Sequence, residues 1–153
     1  MKPSTQRVVT TVATGVGAVA AWEVFWWARR AHRRTVIYNQ ALERAQEMRL
    51  PLVVVGAPDR GATRGPGCGD LCLDIGDSIC PRFIKADIGQ HIPLQDDSAV
   101  VFVSCVLEYV EDYDAAMEEL QRVSGGRLYI VRVEPWTLTA YLYPGAKRTI
   151  PAP

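Results

Sequence analysis

The chain has 153 residues, a length that suits one domain with a small appendage. Its seventeen basic and seventeen acidic side chains cancel at neutral pH, so no general attraction to nucleic acid is expected. The charge is unevenly placed, because Glu23, Glu43 and Glu47 are the only acidic residues before Gly56, against many arginines. This asymmetry points to a membrane surface as the partner, not to DNA or RNA.

Residues 8–27 form a long apolar run, VVTTVATGVGAVAAWEVFWW, whose one charged residue is Glu23. A helix of that length spans about 30 Å, the hydrocarbon thickness of a bilayer. Tryptophans cluster at its end and arginines follow at once, as in an interfacial aromatic belt and under the positive-inside rule. These residues are Trp22, Trp26, Trp27, Arg29, Arg30, Arg33 and Arg34. We therefore predict a single-pass membrane protein with a transmembrane anchor over residues 1–28 and a cytoplasmic C-terminal domain.

Two other interpretations of this run compete with the anchor. Residues 18–20, Ala-Val-Ala, resemble the cleavage site of a secretory signal peptide, but the apolar run continues beyond them into arginines. A buried core helix is the third interpretation, although the remaining chain is small for wrapping it. Ala13, Gly17 and Ala21 form a stripe of small residues suited to close helix contact. The expected partners are therefore membrane lipid and other membrane proteins or assembly subunits.

The next segment, residues 29–50, is predicted to be a basic juxtamembrane helix. Residues 35–49 contain no Gly or Pro and are rich in helix formers, and Pro51 ends the pattern. Residues 51–143 then form the folded domain, and residues 144–153 form a Pro-rich tail.

Five short apolar runs in the domain predict strands at residues 52–55, 71–75, 83–86, 100–104 and 128–133. Continuous β-branched runs are typical of parallel strands buried on both faces. Residues 112–123 predict an amphipathic helix, with Asp112 as its N-cap and the Gly125–Gly126 pair as its stop. The fold class is therefore α/β, a small, mostly parallel, Rossmann-like sheet preceded by one transmembrane helix. Residues 136–143 predict one further strand.

The connection after the first strand departs from an ordinary strand–helix–strand unit. Residues 57–69 contain four glycines and two prolines and show no helical period. A loop is therefore expected where a crossover helix normally lies. Neither a GxGxxG nor a Walker pattern is present, so a structural loop and a ligand-binding loop both remain open.

The cysteines are Cys68, Cys72, Cys80 and Cys105. A structural zinc site usually repeats a tight ligand pair twice, and here the second pair is missing. No metal site is therefore predicted, and reduced cysteines in a cytosol-facing domain are expected.

Residues 85–123 closely resemble the central part of the "type 11" group of class I S-adenosylmethionine-dependent methyltransferases. The shared features are an Asp that ends the third strand (Asp87), an IPL step at residues 92–94, a DS pair at residues 97–98, a VLEYV turn at residues 106–110 and an ELQRV helix segment at residues 119–123. Several motifs in the right order make the resemblance specific for the fold.

The resemblance implies a cofactor-binding role for four residues. Asp74 would hold the ribose hydroxyls of S-adenosylmethionine, and Asp87 would accept from the adenine amino group. Ile88 would pack on the adenine ring, and Gly56 would let the methionine part approach the backbone. Carboxylates at the carboxyl ends of parallel strands do converge on the ligand crevice of such sheets. The alternative is that these Asp residues are solvated strand ends or turn caps.

The sequence also departs from the family. The family's acidic residue and Gly-x-Gly-x-Gly motif are absent, the first crossover helix is missing, and Tyr109 replaces a His. We therefore favour a truncated, catalytically degenerate methyltransferase-like protein that acts as a structural or docking subunit of a membrane-associated assembly. The alternatives are an active membrane-tethered methyltransferase, which would require S-adenosylmethionine, and a binding module for a nucleotide-like ligand. No catalytic residue is identified, and His32 and His91 are interpreted as surface residues.

Overall fold

The computed structural model describes residues 3–56, 58–59, 65–134, 136–138 and 140, with side chains from residue 15 onward. Its elements are α1 (Pro3–Met48), β1 (Leu52–Val55), β2 (Leu71–Asp74), β3 (Phe83–Lys85), β4 (Val100–Ser104), α2 (Tyr113–Ser124) and β5 (Leu128–Val131). The five strands predicted between residues 52 and 133 are all present, and the α/β class is confirmed.

The strands form one sheet in the order β3-β2-β1-β4-β5, and every neighbouring pair is parallel. The chain moves outward from β1 to β3, then returns to the other side of β1 to place β4. This reversal creates a topological switch point between β1 and β4. In open parallel sheets, ligands bind in the crevice at the carboxyl ends of the strands at this point.

The two helices cover opposite faces of the sheet, because successive strand residues point to opposite sides. In β4, Val101 and Val103 join the buried cluster that contains α2, whereas Val100 and Phe102 join the cluster that contains α1. The side chains that α1 contributes to its cluster include Tyr38, Ala41 and Ala45. The result is a three-layer arrangement in which the C-terminal part of α1 packs on one face of the sheet over β1, β4 and β5.

The predicted amphipathic helix is confirmed as α2, together with both of its caps. The Asp112 carboxylate accepts a hydrogen bond from the backbone N–H of Ala115, as an N-cap does. Gly125 follows the helix with φ of 55° and donates its N–H to the Gln121 carbonyl. This left-handed conformation at the helix end is one that glycine adopts without steric cost.

The predicted anchor (residues 1–28) and the predicted juxtamembrane helix (residues 29–50) fall on one helix, because α1 runs without a break from Pro3 to Met48. Among the described residues, no helix is both long enough and apolar enough to cross a bilayer. The span predicted at residues 8–27 includes residues 8–14, whose side chains lie outside the described part of the chain.

The strand predicted at residues 136–143 is wrong for the residues that the structure describes there. Thr137 donates its N–H to the Glu134 carbonyl, and Ala140 donates its N–H to the Thr137 carbonyl, so the described residues here form turn and helical structure. Residues 141–143 and the predicted tail at residues 144–153 lie outside the described residues.

Candidate functional site

A cavity of about 630 Å³ lies at the carboxyl ends of β1 to β4, at the switch point of the sheet. Its walls include Gly56 after β1, Asp74 in β2, Asp87 after β3, and Ser104 in β4. The volume falls within the range of ordinary small-molecule sites. The cavity is therefore placed and sized for a ligand.

The four residues predicted to hold a cofactor all line this one cavity. They are Gly56, Asp74, Asp87 and Ile88. They lie on three different strand ends, so the parallel sheet brings them together across more than thirty positions of sequence. The structure thus groups the predicted residues, and their role toward a cofactor stays a prediction.

Gly56 permits a close backbone approach at the end of β1. Its φ is 94°, a conformation that residues with a side chain rarely adopt. A Cβ at this position would lie 2.5 Å from Cγ2 of Val106. A larger residue would therefore strain the backbone and push into the wall formed by the residues after β4.

The two carboxylates are held in fixed orientations by local backbone. Oδ1 of Asp74 accepts from the N–H of Gly76 at 2.7 Å, and Oδ1 of Asp87 accepts from the N–H of Gly89 at 2.9 Å. These are the Asx turns expected if the residues were only turn caps. Oδ2 of Asp87 also accepts from Nε2 of Gln90 at 3.4 Å. A carboxylate has about four acceptor sites, so a turn-capping bond and a bond to a ligand can share one carboxylate.

Apolar surface lies beside the carboxylates. Ile88 is buried, with 4% of its surface exposed, and forms part of the floor. Ile75 also lines the cavity and is 67% exposed, so its apolar side chain is accessible there. Sequence reasoning missed Ile75, although its position directly after Asp74 was a usable signal.

One wall of the cavity comes from α1, which the sequence did not predict. Trp27, Arg30 and Arg34 lie on this wall. Nε of Arg30 is 2.8 Å from Oε2 of Glu134, and both side chains are largely buried. This ion pair joins the helix to the segment after β5 and sets its position over the strand ends.

The loop between β1 and β2 forms another wall of the cavity. The sequence predicted a loop here in place of the usual crossover helix. No helix occurs in its described residues, 58–59 and 65–70, and Pro58, Gly65 and Gly67 line the cavity. The Asp59 carboxylate accepts from Oγ of Ser78 at 2.7 Å and from the N–H of Ile79 at 3.2 Å. The loop is thereby tied to the connection between β2 and β3.

A disulfide between Cys68 and Cys80 makes the second tie between these two loops. The expectation of reduced cysteines is therefore wrong for this pair, although Cys72 and Cys105 are free. The pairing escaped sequence reasoning because Cys68 and Cys80 meet only when β2 places both loops at the same sheet edge. Disulfides are more typical of oxidising compartments than of the cytosol, so the pair does not favour the predicted cytoplasmic orientation.

Glu108, in the VLEYV turn at residues 106–110, has a structural role. This residue is buried, and its Oε1 accepts from the N–H of Val133 at 2.7 Å. The bond joins the chain after β4 to the chain after β5.

The thiol of Cys105, at the end of β4, is harder to ionise than an ordinary cysteine. Burial and the nearby Glu108 both raise its pKa, whereas Arg34 and Arg30 act in the opposite direction.

The ELQRV segment orders the loop that follows Asp87. The Arg122 guanidinium donates to the carbonyls of Ile92 and Leu94, both at 2.9 Å, and pairs with Glu119 and Asp96. The Glu119 carboxylate in turn accepts from the N–H of Ile92 at 2.9 Å. The motif therefore positions the loop between β3 and β4 and makes no contact with the cavity.

The Glu119 cluster predicts a stability change in acid. Hydrogen bonds from Arg122, aided by the Ile92 N–H, lower the pKa of Glu119 from 4.5 to about 2. Because the folded-state pKa is depressed, this stabilisation is complete above about pH 4.5 and is lost as the pH falls toward 2. Urea unfolding between pH 5 and 2.5 should show a smaller loss of unfolding free energy in Glu119→Gln than in the wild type.

The exposed neighbour Glu118 supplies the matched control for this measurement. Glu118→Gln removes a carboxylate from the same helix turn without touching the Arg122 cluster, so it should keep the wild-type pH dependence. Identical slopes for the wild type and Glu119→Gln would contradict the proposed stabilisation.

Together, the strand order and the site define a Rossmann-like parallel α/β protein with a ligand-sized cavity at its switch point. Residues 71–130 match the family model described as a methyltransferase domain, Methyltransf_11, and the parallel sheet is consistent with the class I methyltransferase fold. The resemblance drawn from the sequence is therefore confirmed. The comparisons with curated proteins and with solved structures found no significant match.

Proposed function

We propose that this chain binds S-adenosylmethionine in the cavity at the strand ends and acts as a membrane-tethered methyltransferase. The observation that carries the proposal is the convergence of Gly56, Asp74, Asp87 and Ile88 on one cavity of ligand size. From the sequence alone we favoured a degenerate docking subunit. We now favour the enzyme, because a ligand-sized crevice is present although the sequence lacks the glycine motif and the expected crossover helix.

The residues present fit the adenosyl group. Asp74 would accept from the ribose hydroxyls and Asp87 from the adenine amino group, since both carboxylates line the cavity at neighbouring strand ends. Ile75 and Ile88 offer apolar surface beside them, and Gly56 leaves room at the backbone. The cofactor, when bound, supplies the methyl group. Methyl transfer depends mainly on positioning, so the lack of an identified general base does not oppose the proposal.

Calorimetric titration of the full chain with S-adenosylmethionine and S-adenosylhomocysteine tests this function. We expect saturable one-to-one binding of both nucleosides at micromolar concentration, with ATP as a control that does not compete. Absence of heat and of any melting-temperature shift at millimolar ligand would overturn the proposal.

The membrane tether is a separate part of the proposal. Between residues 15 and 29, where side chains are described, α1 exposes most of its large apolar side chains to solvent, among them Val16, Val19, Trp22, Val24, Phe25 and Trp27. Such a surface is costly in water and favourable in a bilayer or against another apolar helix. The arginines that follow would interact with lipid headgroups.

Alkaline carbonate extraction of membranes tests the tether. A Val16→Asp, Val19→Asp double variant places two charges on exposed positions of the apolar run, each costing about 3 kcal/mol at mid-bilayer. We expect the wild type to stay in the pellet and the variant to be released. Val36→Asp, also exposed on α1 but beyond the run, should behave like the wild type. Release of the wild-type protein from the membrane pellet into the supernatant would contradict the proposed anchor.

A second candidate function is the degenerate docking subunit favoured by the sequence. The non-helical connection between β1 and β2 in its described residues supports it, because that crossover helix normally helps to hold the cofactor. The two candidates give opposite results in the titration above: the docking subunit predicts that the chain binds neither nucleoside.

A further inference from the structure

An aromatic surface joins α1 to the chain after β5. The Trp26 ring makes edge contacts with Trp22 and Phe25 on the helix, at centroid distances of 5.5 and 5.4 Å. It makes a third edge contact, at 5.3 Å, with Trp136 beyond β5. We call this surface the tryptophan patch and define it by Trp22, Phe25, Trp26, Trp136 and Leu138. All of its members except Trp26 expose 45% to 55% of their surface. The patch is therefore built by the helix and the folded domain together.

Polar bonds hold the two parts of the patch in a fixed relation. The Leu138 N–H donates to Oε1 of Glu23 on α1 at 2.7 Å. Arg30 and Glu134 form an ion pair at 2.8 Å, and both side chains are largely buried. The turn that carries Trp136 is therefore fixed against the helix. A surface that receives the aromatic side chains of α1 also meets those of the folded domain.

The charge around the patch favours an anionic surface as its partner. Between residues 15 and 42, Glu23 is the only acidic residue, and its carboxylate is bonded to the Leu138 N–H. Arg29 and Arg33 are exposed on this stretch, and the Arg29 guanidinium lies 5.6 Å from the centre of the Trp26 ring. Indole rings and arginines of this kind are typical of a membrane–water interface, where basic side chains meet anionic headgroups.

The patch lies between the apolar run of α1 and the cavity. Toward the N-terminus, Val16, Val19 and Val24 are 50–66% exposed and continue the apolar surface. In the other direction, Trp27 is 48% exposed and lines the cavity. A bilayer matches this order, because its hydrocarbon layer is followed by a headgroup layer that accepts indole rings and cations. A lipid surface is therefore the partner that fits the whole patch.

We propose that the tryptophan patch docks the folded domain onto an anionic bilayer surface. The inference rests on the tether proposed above and adds a second contact, made by Trp136 and Leu138 from the chain after β5. A helix alone would leave the orientation of the domain to its linker, whereas two linked contacts fix that orientation. Because Trp27 belongs to the cavity wall, docking brings this wall to the level of the headgroups.

The tryptophans of the chain make this contact directly measurable. The four are Trp22, Trp26, Trp27 and Trp136, so tryptophan fluorescence reports on this region alone. Full-length variants that keep only Trp27 or only Trp136, with Phe at the other tryptophan positions, are placed in vesicles of phosphatidylcholine and phosphatidylglycerol. Lipids brominated near the glycerol end of the acyl chain quench fluorescence on contact. We expect both variants to lose most of their fluorescence in brominated vesicles relative to unbrominated ones.

Gln121→Trp, in a chain without its own tryptophans, is the matched control. Gln121 is exposed on α2, which covers the face of the sheet opposite to α1, so its fluorescence should be the same in both kinds of vesicle. Trp136→Phe in the otherwise unchanged chain gives the Trp136 contribution by difference. That measurement does not depend on the folding of the multiply substituted chains.

The outcomes separate docking from the tether. Quenching of Trp27 without quenching of Trp136 would overturn the docked domain and leave the tether standing. Absence of quenching at both would overturn the tether and the docking together. The nucleoside titration tests the cofactor site independently of either result.

Pure phosphatidylcholine vesicles test the charge of the partner. Each basic residue near an anionic surface favours binding about fivefold, so quenching of Trp136 should fall when phosphatidylglycerol is left out. It should also fall in an Arg29→Gln, Arg33→Gln double variant on anionic vesicles. Equal quenching of Trp136 on neutral and anionic vesicles would overturn the assignment to anionic headgroups.

Discussion

Replacing Asp74 by Ala should weaken the binding of S-adenosylhomocysteine about a hundredfold. The carboxylate lies on the cavity wall at the end of β2, and hydrogen bonds from ligand hydroxyls to a charged acceptor contribute about 1.5–3 kcal/mol each. Two ribose hydroxyls therefore account for two orders of magnitude or more in the dissociation constant. Calorimetric titration of the wild type and the variant measures this difference directly.

Asp77 provides a control for the Asp74 experiment. It lies three residues further along, is strongly exposed, and pairs at the surface with Lys85 at 3.1 Å. Asp77→Ala should keep wild-type affinity, because a surface ion pair contributes little and lies outside the cavity. Asp87→Asn should reduce affinity less than Asp74→Ala, since the amide oxygen still accepts a hydrogen bond. If Asp74→Ala bound the nucleoside as tightly as the wild type, the predicted ribose contact would be wrong, and Asp74 would act only as a turn cap.

The Cys68–Cys80 disulfide should contribute about 3 kcal/mol to the free energy of unfolding. It closes a short loop with a sequence separation of 12, and cross-links of that length restrict the unfolded chain by about this amount. Denaturant unfolding of the oxidised wild type should therefore occur at higher urea than that of a Cys68→Ser, Cys80→Ser variant. The slope of free energy against denaturant can change as well, because the cross-link compacts the unfolded state.

A reducing agent separates the effect of the bond from the effect of the substitutions. Dithiothreitol should lower the stability of the wild type to that of the double-serine variant and leave the variant unchanged. Because the same loop lines the cavity through Gly65 and Gly67, reduction should also weaken nucleoside binding. A wild type whose stability is the same with and without dithiothreitol would contradict the assigned bond.

The elements of the domain were predictable because each has a local cause. Buried β-branched runs predicted β1 and β4 with their observed bounds, and the other strands ended within two residues of the prediction. Asp112 and Gly125 fixed α2, since a cap depends on residues only a few positions apart. The four residues predicted to bind a cofactor were chosen from the family resemblance, and their convergence on one cavity follows from the parallel strand order.

The features that escaped prediction all depend on distant contacts. Tyr38, Ala41 and Ala45 are buried against the sheet, and no local signal in the helix predicts that contact, because the strands lie far away in sequence. Consequently, the placement of Arg34 in the cavity wall was also missed. The Arg122 cluster was recognised only as a family motif, because its role lies in bonds to Ile92 and Leu94, about thirty residues away in sequence.

Hydrogen–deuterium exchange of the full chain, with and without saturating S-adenosylhomocysteine, tests the central claim most directly. The claim is that the strand-end crevice still binds an adenosyl nucleoside although its usual glycine-rich entrance is lost. We predict slower exchange in peptides covering Gly56, Gly76 and Gly89, and unchanged exchange in α2. Unchanged exchange at all three strand ends under ligand saturation would contradict the account.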